Sequence, residues 1–570
     1  MRQKILLILI TLLTTATGAW GFEVTANGVN WTCTVIESTT NVKIKPTNRN
    51  AISGAVTIPG IVTNNTTDYT VTEIDTYAFD SCNGNNGNGN LTAVTIPASV
   101  TKIGSGAFYK CSNLATYSGG SGVTDIGIMV FQDCSNLTSF TIPNGVTSIG
   151  SNVFKGCGLT SITIPANVTT INDDAFKNCN GLTTVHIPAT LTTINSNPFS
   201  GCSHLTAFTV DESHPDYMAV DGVLVSKDGT EIRLYPQGKM PIAIPAGVTT
   251  IGSNAFNGFT GLTSITIPAG VTTIKSNAFS SCENLASVTI PVSVTSIEDV
   301  AFFRCIFLTS VTIYAQSIDV CWGAFDYNGD GRKFYVFSNC IENYQEGGSS
   351  WYANGYAGDV LEIPAAQLAV SAPVHENPEA AGEYWCTYYH PAANVRFNTD
   401  DVTVYKAKIN DAKTGVTLTE IEGGNGVIPA GQAVMLQAPT SGSLSMELTP
   451  AAPDDDYDGN ELKGGSTVTA GYDAYTLAAV DGKMGFYLFN GSTLNPNKAH
   501  LEIPHTAGAR TFYGFSGDDG ATAIESIDKG PSIVDYETDA EWYSLDGRRL
   551  QGKPAKKGFY VKQGQKFIVK

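Results

Sequence analysis

The feature of this chain that most restricts its fold is a period of 23 residues in its first half. Residues 262–308 pass twice through one pattern, L-T-x-[VI]-T-I-P-x-x-V-T-x-I-x-x-x-A-F-x-x-C-x-x. Such a period is typical of stacked repeats, because one unit alone cannot bury its apolar side chains. We count ten units, and the first and last depart from the pattern, as capping units commonly do. The Ala-Phe step of these units contributes Phe79, Phe108, Phe131, Phe154, Phe176, Phe199, Phe256, Phe279, Phe302 and Phe325.

Each unit contains a short strand followed by a return segment. Leu262, Ile265 and Ile267 are spaced to point inward, and the intervening Thr and Ser residues point outward. Pro268 then ends the strand, because proline cannot donate to a strand ladder. The V-T-x-I motif supplies a second inward pair before the Ala-Phe step. The sequence therefore predicts a mainly β solenoid whose stacked units share one core.

These motifs resemble the BspA-like leucine-rich repeat, the treponemal-type 23-residue class found on surface proteins of host-associated bacteria. The resemblance extends over roughly residues 58–344, which is half of the chain. It implies a leucine-rich-repeat solenoid with a β-sheet on one face. From related proteins it also implies adhesion to host matrix proteins, such as fibronectin and fibrinogen, or to other microbes.

Eight of the twelve cysteines occupy one slot of the repeat, and Phe259 fills this slot in another unit. A slot that accepts phenylalanine faces an apolar core, where cysteine behaves as a small hydrophobic residue. Disulfides are the alternative in an exported protein, but the position favours a stack of free thiols. The eight cysteines are Cys82, Cys111, Cys134, Cys157, Cys179, Cys202, Cys282 and Cys305.

Residues 1–21 read as a signal peptide, with Arg2 and Lys4 before an apolar run and a small-residue cleavage site at its end. The run is shorter than the roughly 20 residues of a membrane-spanning helix. We therefore expect a secreted or cell-surface protein, associated with the outer membrane. An N-terminal β cap at 22–57 precedes the solenoid at 58–346. Within it, residues 209–243 insert a hairpin around Asp228-Gly229, as either a binding protrusion or mere decoration.

The second half of the chain does not show the 23-residue repeat. Residues 365–382 are predicted to be a linker, because they are rich in Ala, Pro and Glu. Residues 383–530 are predicted to form an all-β sandwich-like or barrel-like domain. Through YWCTYY, IPAGQAVML, GFYLFNG and NKAHLEIP they resemble a module often found after such repeats. Its candidate strands are 385–389, 402–409, 432–437, 474–477, 485–489 and 498–503.

Residues 540–570 form a C-terminal tail of opposite charge. The whole chain has a formal net charge of −19, but residues 548–570 contain eight Lys or Arg and no acid. With Leu545-Asp546-Gly547-Arg548 and Gly558-Phe559-Tyr560, this tail resembles the C-terminal sorting signals of the type nine secretion system. A small terminal β-hairpin is the alternative. The acidic body excludes a nucleic-acid partner, and membrane contact is expected only through sorting or attachment.

Catalytic and metal-binding patterns are weak, so we expect no enzyme, no cofactor and no metal. Cys386 and His390 are four residues apart, which in a strand leaves them beyond hydrogen-bond reach. Residues 326–331 match the first half of a calcium loop, but Phe337 stands where the bidentate acid is needed, which favours a polar turn. The acidic loop at 454–458 is interpreted as solvated.

The outward positions of the repeat are therefore the candidate binding residues, because they form columns of small hydroxyl groups that can donate and accept hydrogen bonds. We expect an extracellular protein ligand, either a host matrix protein or another microbial surface, or else a glycan. The alternative function is a glycan-binding or cell-envelope structural protein, in which the C-terminal β domain binds and the repeats form a stalk. The candidates are Thr138, Ser139, Thr141, Thr160, Ser161, Thr163, Thr183, Thr184, Thr263, Ser264, Thr266, Thr309, Ser310 and Thr312.

Overall fold

A computed structural model gives the fold of most of the chain. It describes residues 21–36, 39–85, 89–346 and 349–373, and beyond these 375–376, 384–397, 402–409, 415–421, 427–438, 443–450, 460, 462–464, 472–480, 483–488, 499–504, 512–517, 542–544, 549–550, 558–562 and 565–569. The predicted signal peptide lies outside the described residues except for Gly21, where the first strand begins. The acidic loop at 454–458 also lies outside them.

The repeats form a β-solenoid of about 12 turns, which confirms the predicted fold class. The N-terminal cap and the inserted hairpin also contribute strands to its sheets, beyond the ten units counted in the sequence. The cap strands are Gly21–Ala26, Val29–Val35, Asn41–Pro46, Ile61–Asn64 and Thr67–Ile74, and a 3-10 helix spans Arg49–Ala51.

Each turn has up to two strands, one on a front face and one on a back face, and a turn face that carries the Ala-Phe step. Strands pair in parallel with their equivalents one turn further on. Front strands are Ser53–Thr57, Asn90–Ile96, Thr116–Gly119, Thr184–Ile187, Ala207–Val210, Ser264–Thr266, Ser287–Ile290, Ser310–Ile313, Lys333–Val336 and Val360–Glu362. Back strands are Lys102–Ile103, Asp125–Ile126, Ser148–Ile149, Thr170–Ile171, Thr193–Ile194, Thr250–Ile251, Thr273–Ile274, Ser296–Ile297 and Asp319–Val320.

The core contains a column of stacked phenylalanine rings, as the repeat predicts. Phe279 and Phe302 lie with ring centroids 4.9 Å apart and planes 4° from parallel. The column has two segments, because the rings from Phe79 to Phe199 stack in one series and those from Tyr235 to Phe325 in another. Tyr235, from the inserted hairpin, takes the phenylalanine position on Phe256. The insert therefore divides the solenoid interior into two cores.

The predicted stack of free, buried thiols is confirmed. From Cys111 onward, each repeat thiol also donates a hydrogen bond to a phenylalanine carbonyl of the preceding turn, as Cys134 does to Phe108 at 3.1 Å. In these turns cysteine therefore serves both as a small apolar side chain and as a hydrogen-bond donor. Burial raises the pKa of Cys202 and Cys305 to about 12. Only Cys321 is exposed among the twelve.

Two turns depart from the prediction of a front strand in every unit. Residues 137–142 and 159–164 are described but form no strand. Tyr117 and Phe140 fill the inward slot that holds Val or Ile in most other turns, and their rings pack 4.7 Å apart. Phe208 and Phe334 fill the same slot in turns that do form front strands, so an aromatic side chain there does not by itself prevent the ladder.

The predicted hairpin insert is present, and it is built into the solenoid. Its strands are Tyr217–Val220, Val223–Ser226 and Glu231–Leu234, and the last pairs in parallel with back strand Thr250–Ile251. His214 anchors its entry: its buried ring accepts from the backbone N–H of Asp216 and Tyr217, and Nε2 lies 3.0 Å from the carbonyl oxygen of Leu191. Glu231–Leu234 of the insert thus takes the position of a back strand next to Thr250–Ile251.

The solenoid ends with the strand Lys333–Val336 and a series of short helices. The 3-10 helices Ser338–Cys340 and Ala357–Asp359 and the α-helices Ile341–Gln345, Ser350–Ala353 and Ala365–Leu368 follow. The linker predicted at 365–382 is wrong for its described part. Ala369–Pro373 is a strand that pairs with Ser443–Thr449, so these residues belong to the second domain.

The described residues of the second domain form two sheets, and all six predicted strands are present among them. Its four-stranded sheet contains Ala369–Pro373, Ser443–Thr449, Asn394–Phe397 and Val427–Ile428. Its ten-stranded sheet contains His375–Glu376, Tyr384–Tyr389, Ala433–Ala438, Thr403–Ile409, Gly415–Glu420, Phe512–Gly517, Lys483–Leu488, Tyr472–Val480, Ala499–Pro504 and Leu462–Gly464. In the tail, Arg549–Leu550, Trp542–Ser544, Gly558–Lys562 and Gln565–Val569 form a separate antiparallel sheet.

Candidate binding surface

The front face carries the predicted hydroxyl residues. Twelve of the fourteen are exposed, and Ser310 and Thr312 are half-buried. They do not form one continuous surface, because the insert separates them. We call the eight from Thr138 to Thr184 the N-terminal hydroxyl patch and the six from Thr263 to Thr312 the C-terminal hydroxyl patch.

The C-terminal hydroxyl patch lies on a regular ladder. Ser264 is in register with Ser287 and Ser287 with Ser310, and Thr266, Thr289 and Thr312 form a second row. Ser287 and Thr289 belong to the same rows, although they are not among the fourteen predicted candidates. Because the strands bond to each other, their backbone groups are already paired. A ligand can therefore be bound only by the hydroxyl rows and the methyl groups of threonine.

A cluster with titratable side chains lies beside the N-terminal hydroxyl patch. His186 occupies a slot that holds threonine in other turns, and it lies 3.0 Å from Thr209 Oγ1 through Nδ1 and 3.1 Å from Asp211 Oδ1 through Nε2. Asp211 also accepts from the backbone N–H of Ala189 at 2.8 Å. His186 is exposed. The repeat pattern gives no indication of Asp211, which stands where other turns have proline.

The structure separates the remaining candidate chemical groups. Cys386 is fully buried in a strand paired with Ala433–Ala438, whereas His390 Nδ1 accepts from the backbone N–H of Ala393 at 2.9 Å. In the calcium-like segment, Asp326 accepts from Tyr356 Oη at 2.9 Å and Asn328 from the backbone N–H of Cys305 at 3.1 Å. These bonds are those of a polar turn. Among the described residues, no group of three or more His, Cys, Asp or Glu side chains could hold a metal ion.

The second domain bounds the C-terminal hydroxyl patch on one side. The backbone N–H of Ala269 donates to Pro391 at 2.7 Å, and that of Val292 donates to Ala392 at 3.0 Å. Both donors directly follow the prolines that end the front strands. Burial beside this contact lowers the pKa of His390 to about 4, so its ring is neutral near pH 7. The hydroxyl rows therefore lie beside a wall formed by residues 390–393.

The solenoid sequence matches one known family model. The BspA type leucine-rich repeat region matches in six copies over residues 61–183, 149–217 and 240–345. The solenoid is therefore built from BspA-type leucine-rich repeats, and this family fits a protein-interaction role. The chain matches none of the functionally curated proteins. No described helix combines the length and apolar character needed to cross a bilayer.

Several solved structures resemble the chain over its solenoid half. A leucine-rich cell surface protein from Faecalibacterium prausnitzii is 28% identical, with 56% of this chain and 95% of that one covered and a TM-score of 0.40. The pneumococcal vaccine antigen PcpA is 21% identical, with 61% and 100% covered and a TM-score of 0.44. A leucine-rich repeat protein from Bacteroides ovatus is 22% identical, with 60% and 99% covered and a TM-score of 0.33.

Proposed function

Because residues 61–217 and 240–345 match the BspA type leucine-rich repeat region, we propose that this chain is an exported surface protein that adheres to extracellular proteins through its front face. The ligand would be a host matrix protein or a protein on another cell. The signal peptide would direct export, and the basic tail would direct sorting to the cell surface.

The observation that carries this proposal is the ordered pair of hydroxyl rows in the C-terminal hydroxyl patch. The parallel ladder fixes Ser264, Ser287 and Ser310 one turn apart. A rigid surface loses little conformational freedom on binding, which favours affinity. Each hydroxyl contributes only about 0.5–1.5 kcal/mol net per hydrogen bond, so recognition requires many residues of the face together.

The test compares binding of residues 22–570 and of its variants to immobilised fibronectin and fibrinogen at physiological salt. Ser264→Lys with Thr266→Lys places two long charged side chains on the front rows, where both residues are exposed. The matched control is Thr272→Lys with Thr295→Lys, at exposed positions before two back strands. We expect the front variant to bind at least about tenfold more weakly, a loss of about 1.4 kcal/mol, and the control to bind like the unmodified chain.

Equal binding by the front variant and the control would contradict the proposal. If binding were instead lost only on substitutions in the exposed strands of residues 384–517, the repeats would serve as a stalk for the second domain. Absence of saturable binding to either matrix protein would remove host matrix as the ligand class.

A further inference from the structure

The inserted hairpin takes a shorter path around one corner of the solenoid than the regular turns do. In the regular turn at 251–256, four residues lie between the isoleucine of the back strand and the phenylalanine of the Ala-Phe step. In the insert, Ile232 is in register with Ile251. Tyr235 stacks on Phe256 with ring centroids 4.8 Å apart, yet only two residues separate it from Ile232. The corner of the insert is therefore two residues shorter than those of the neighbouring turns.

A cavity of about 80 Å³, partly open to solvent, lies at this shortened corner. Its lining comes from three places in the chain, because the insert brings the corner before it close to the corner after it. We call this cavity the corner pocket, and its lining residues are Ile194 and Ser196 of the preceding turn, Arg233 and Leu234 of the insert, and Ser253 and Asn254 of the following turn. The corner pocket is therefore a direct product of the insertion.

The shortened corner also leaves backbone groups of its neighbours without their usual partners. In a regular corner, the N–H two residues before the phenylalanine donates to a carbonyl of the next turn, as Asn254 does to Ser276 at 3.2 Å. The equivalent groups here are the N–H of Asn197 and the carbonyl of Ser253, and neither forms a backbone–backbone hydrogen bond within the described part of the chain. The side chain of Asn197 reaches the carbonyl of Asn254 at 3.4 Å. Strong hydrogen-bonding groups are thus available at the corner pocket.

Arg233 gives the corner pocket a positive charge. Its Nη1 lies 2.7 Å from Glu231 Oε1, and Lys275 Nζ lies 2.7 Å from Glu231 Oε2. Two cations share one carboxylate, so the three groups sum to a net charge of +1 on a chain whose net charge is −19. A guanidinium has five N–H donors, and among the described residues the bond to Glu231 engages only Nη1. Donors on Nε and Nη2 therefore remain for an anion that enters the corner pocket.

We propose that the corner pocket binds the carboxylate of an acidic sugar residue at the end of a glycan. Guanidinium groups pair well with carboxylates through parallel N–H···O bonds. One carboxylate balances the charge of +1, whereas a phosphate monoester carries about −1.5 to −2 at pH 7. Ser196, Ser253 and Asn254 can each donate and accept hydrogen bonds, as the hydroxyl groups of a sugar require.

A peptide C-terminus has the same carboxylate but brings none of the hydroxyl groups that these three side chains match. The corner pocket lies between the back face and the turn face, so an occupied pocket leaves both hydroxyl patches of the front face free. This proposal does not rest on the proposed adhesive function.

The first experiment titrates residues 22–570 with small glycosides and follows binding by saturation-transfer NMR. The acidic probes are methyl glucuronide and the methyl glycoside of N-acetylneuraminic acid, and the neutral probe is methyl glucoside. We expect saturable binding of at least one acidic probe and at least about tenfold weaker binding of the neutral one, because a hydrogen bond to a charged group contributes about 1.5–3 kcal/mol. N-acetyl-diglycine tests a peptide C-terminus. Binding of the glucoside or of N-acetyl-diglycine as tight as that of the acidic sugars would overturn the proposal, as would no binding of either acidic sugar.

The second experiment fills the corner pocket without changing Arg233. Ser253→Trp introduces a bulky ring at a corner position that holds Trp322 in a later turn, where it is 71% exposed, so the repeat accepts tryptophan there. The matched control is Ser151→Trp, which places the same side chain at the same position of a regular corner. We expect Ser253→Trp and Arg233→Gln each to weaken binding of the acidic sugar at least about tenfold, and the control to bind like the unmodified chain. Equal binding by Ser253→Trp and the control would overturn the location of the site, and undiminished binding by Arg233→Gln would overturn the role of the guanidinium.

Discussion

The phenylalanine column gives the most direct test of how the solenoid is held together. Phe279 is fully buried, and its ring lies 4.9 Å from both Phe256 and Phe302. Replacing a buried phenylalanine with alanine costs about 3–5 kcal/mol. We expect Phe279→Ala to fall in the upper part of this range, because two ring contacts of about 0.5–1.5 kcal/mol each are lost along with the buried area.

Hydrogen exchange measured by mass spectrometry can resolve this loss within the chain. The N–H groups of Phe256 and Phe279 donate to Ala278 and Ala301, each at 2.8 Å, and report opening of these turns. A loss of about 4–5 kcal/mol would accelerate their exchange by roughly three to four orders of magnitude if the opening equilibrium limits exchange. The matched control is Phe307→Ala, because this exposed ring should cost within about 0.5 kcal/mol.

The same measurement tests whether the insert divides the solenoid energetically. Each turn of a solenoid contacts mainly its neighbours, so destabilisation spreads locally. The ring column is interrupted between Phe199 and Tyr235, and we expect the amides of Phe131 and Phe154 to exchange as before. A cost of less than about 1 kcal/mol for Phe279→Ala, no larger than that of an ordinary surface change, would refute the account of the core. Equal acceleration on both sides of the insert would refute the division.

Three further predictions concern the thiols and the domain contact. A thiol reagent should modify only Cys321 in the folded chain and all twelve cysteines after denaturation. Rapid modification of several thiols in the folded chain would contradict the burial of the repeat cysteines. Cys134→Ala should lower the free energy of unfolding by about 1–3 kcal/mol, because the carbonyl of Phe108 loses its thiol donor, whereas Cys134→Ser should lose less in the same denaturation assay. The pKa of His390 is lowered from 6.5 to about 4 by burial, so the neutral ring stabilises the domain contact fully above pH 6.5. That stability, up to about 3 kcal/mol, should be lost as the pH falls toward 4, and His390→Asn should remove the pH dependence of exchange at Ala393.

The sequence predicts most of the solenoid because its signals repeat. One slot filled by phenylalanine in ten units, and another by cysteine in eight, identifies inward positions without knowledge of the partner residues. The Asp228-Gly229 turn likewise predicts the inserted hairpin from local backbone preference. The outward hydroxyl positions follow from the two-residue alternation of strands. These features depend on residues that are close in the chain or repeated at a fixed spacing.

Other features depend on contacts between residues that are distant in sequence, and only the tertiary structure decides them. The strand at Ala369–Pro373 forms because Ser443–Thr449 lies beside it, and no local pattern in a segment rich in Ala and Pro indicates that pairing. The docking of residues 390–393 beside Ala269 and Val292 is likewise set by packing between domains. The absence of front strands at 137–142 and 159–164 is likewise not indicated by the repeat pattern, which continues through both turns. Repetition determines the solenoid, and long-range pairing decides how the second domain joins it.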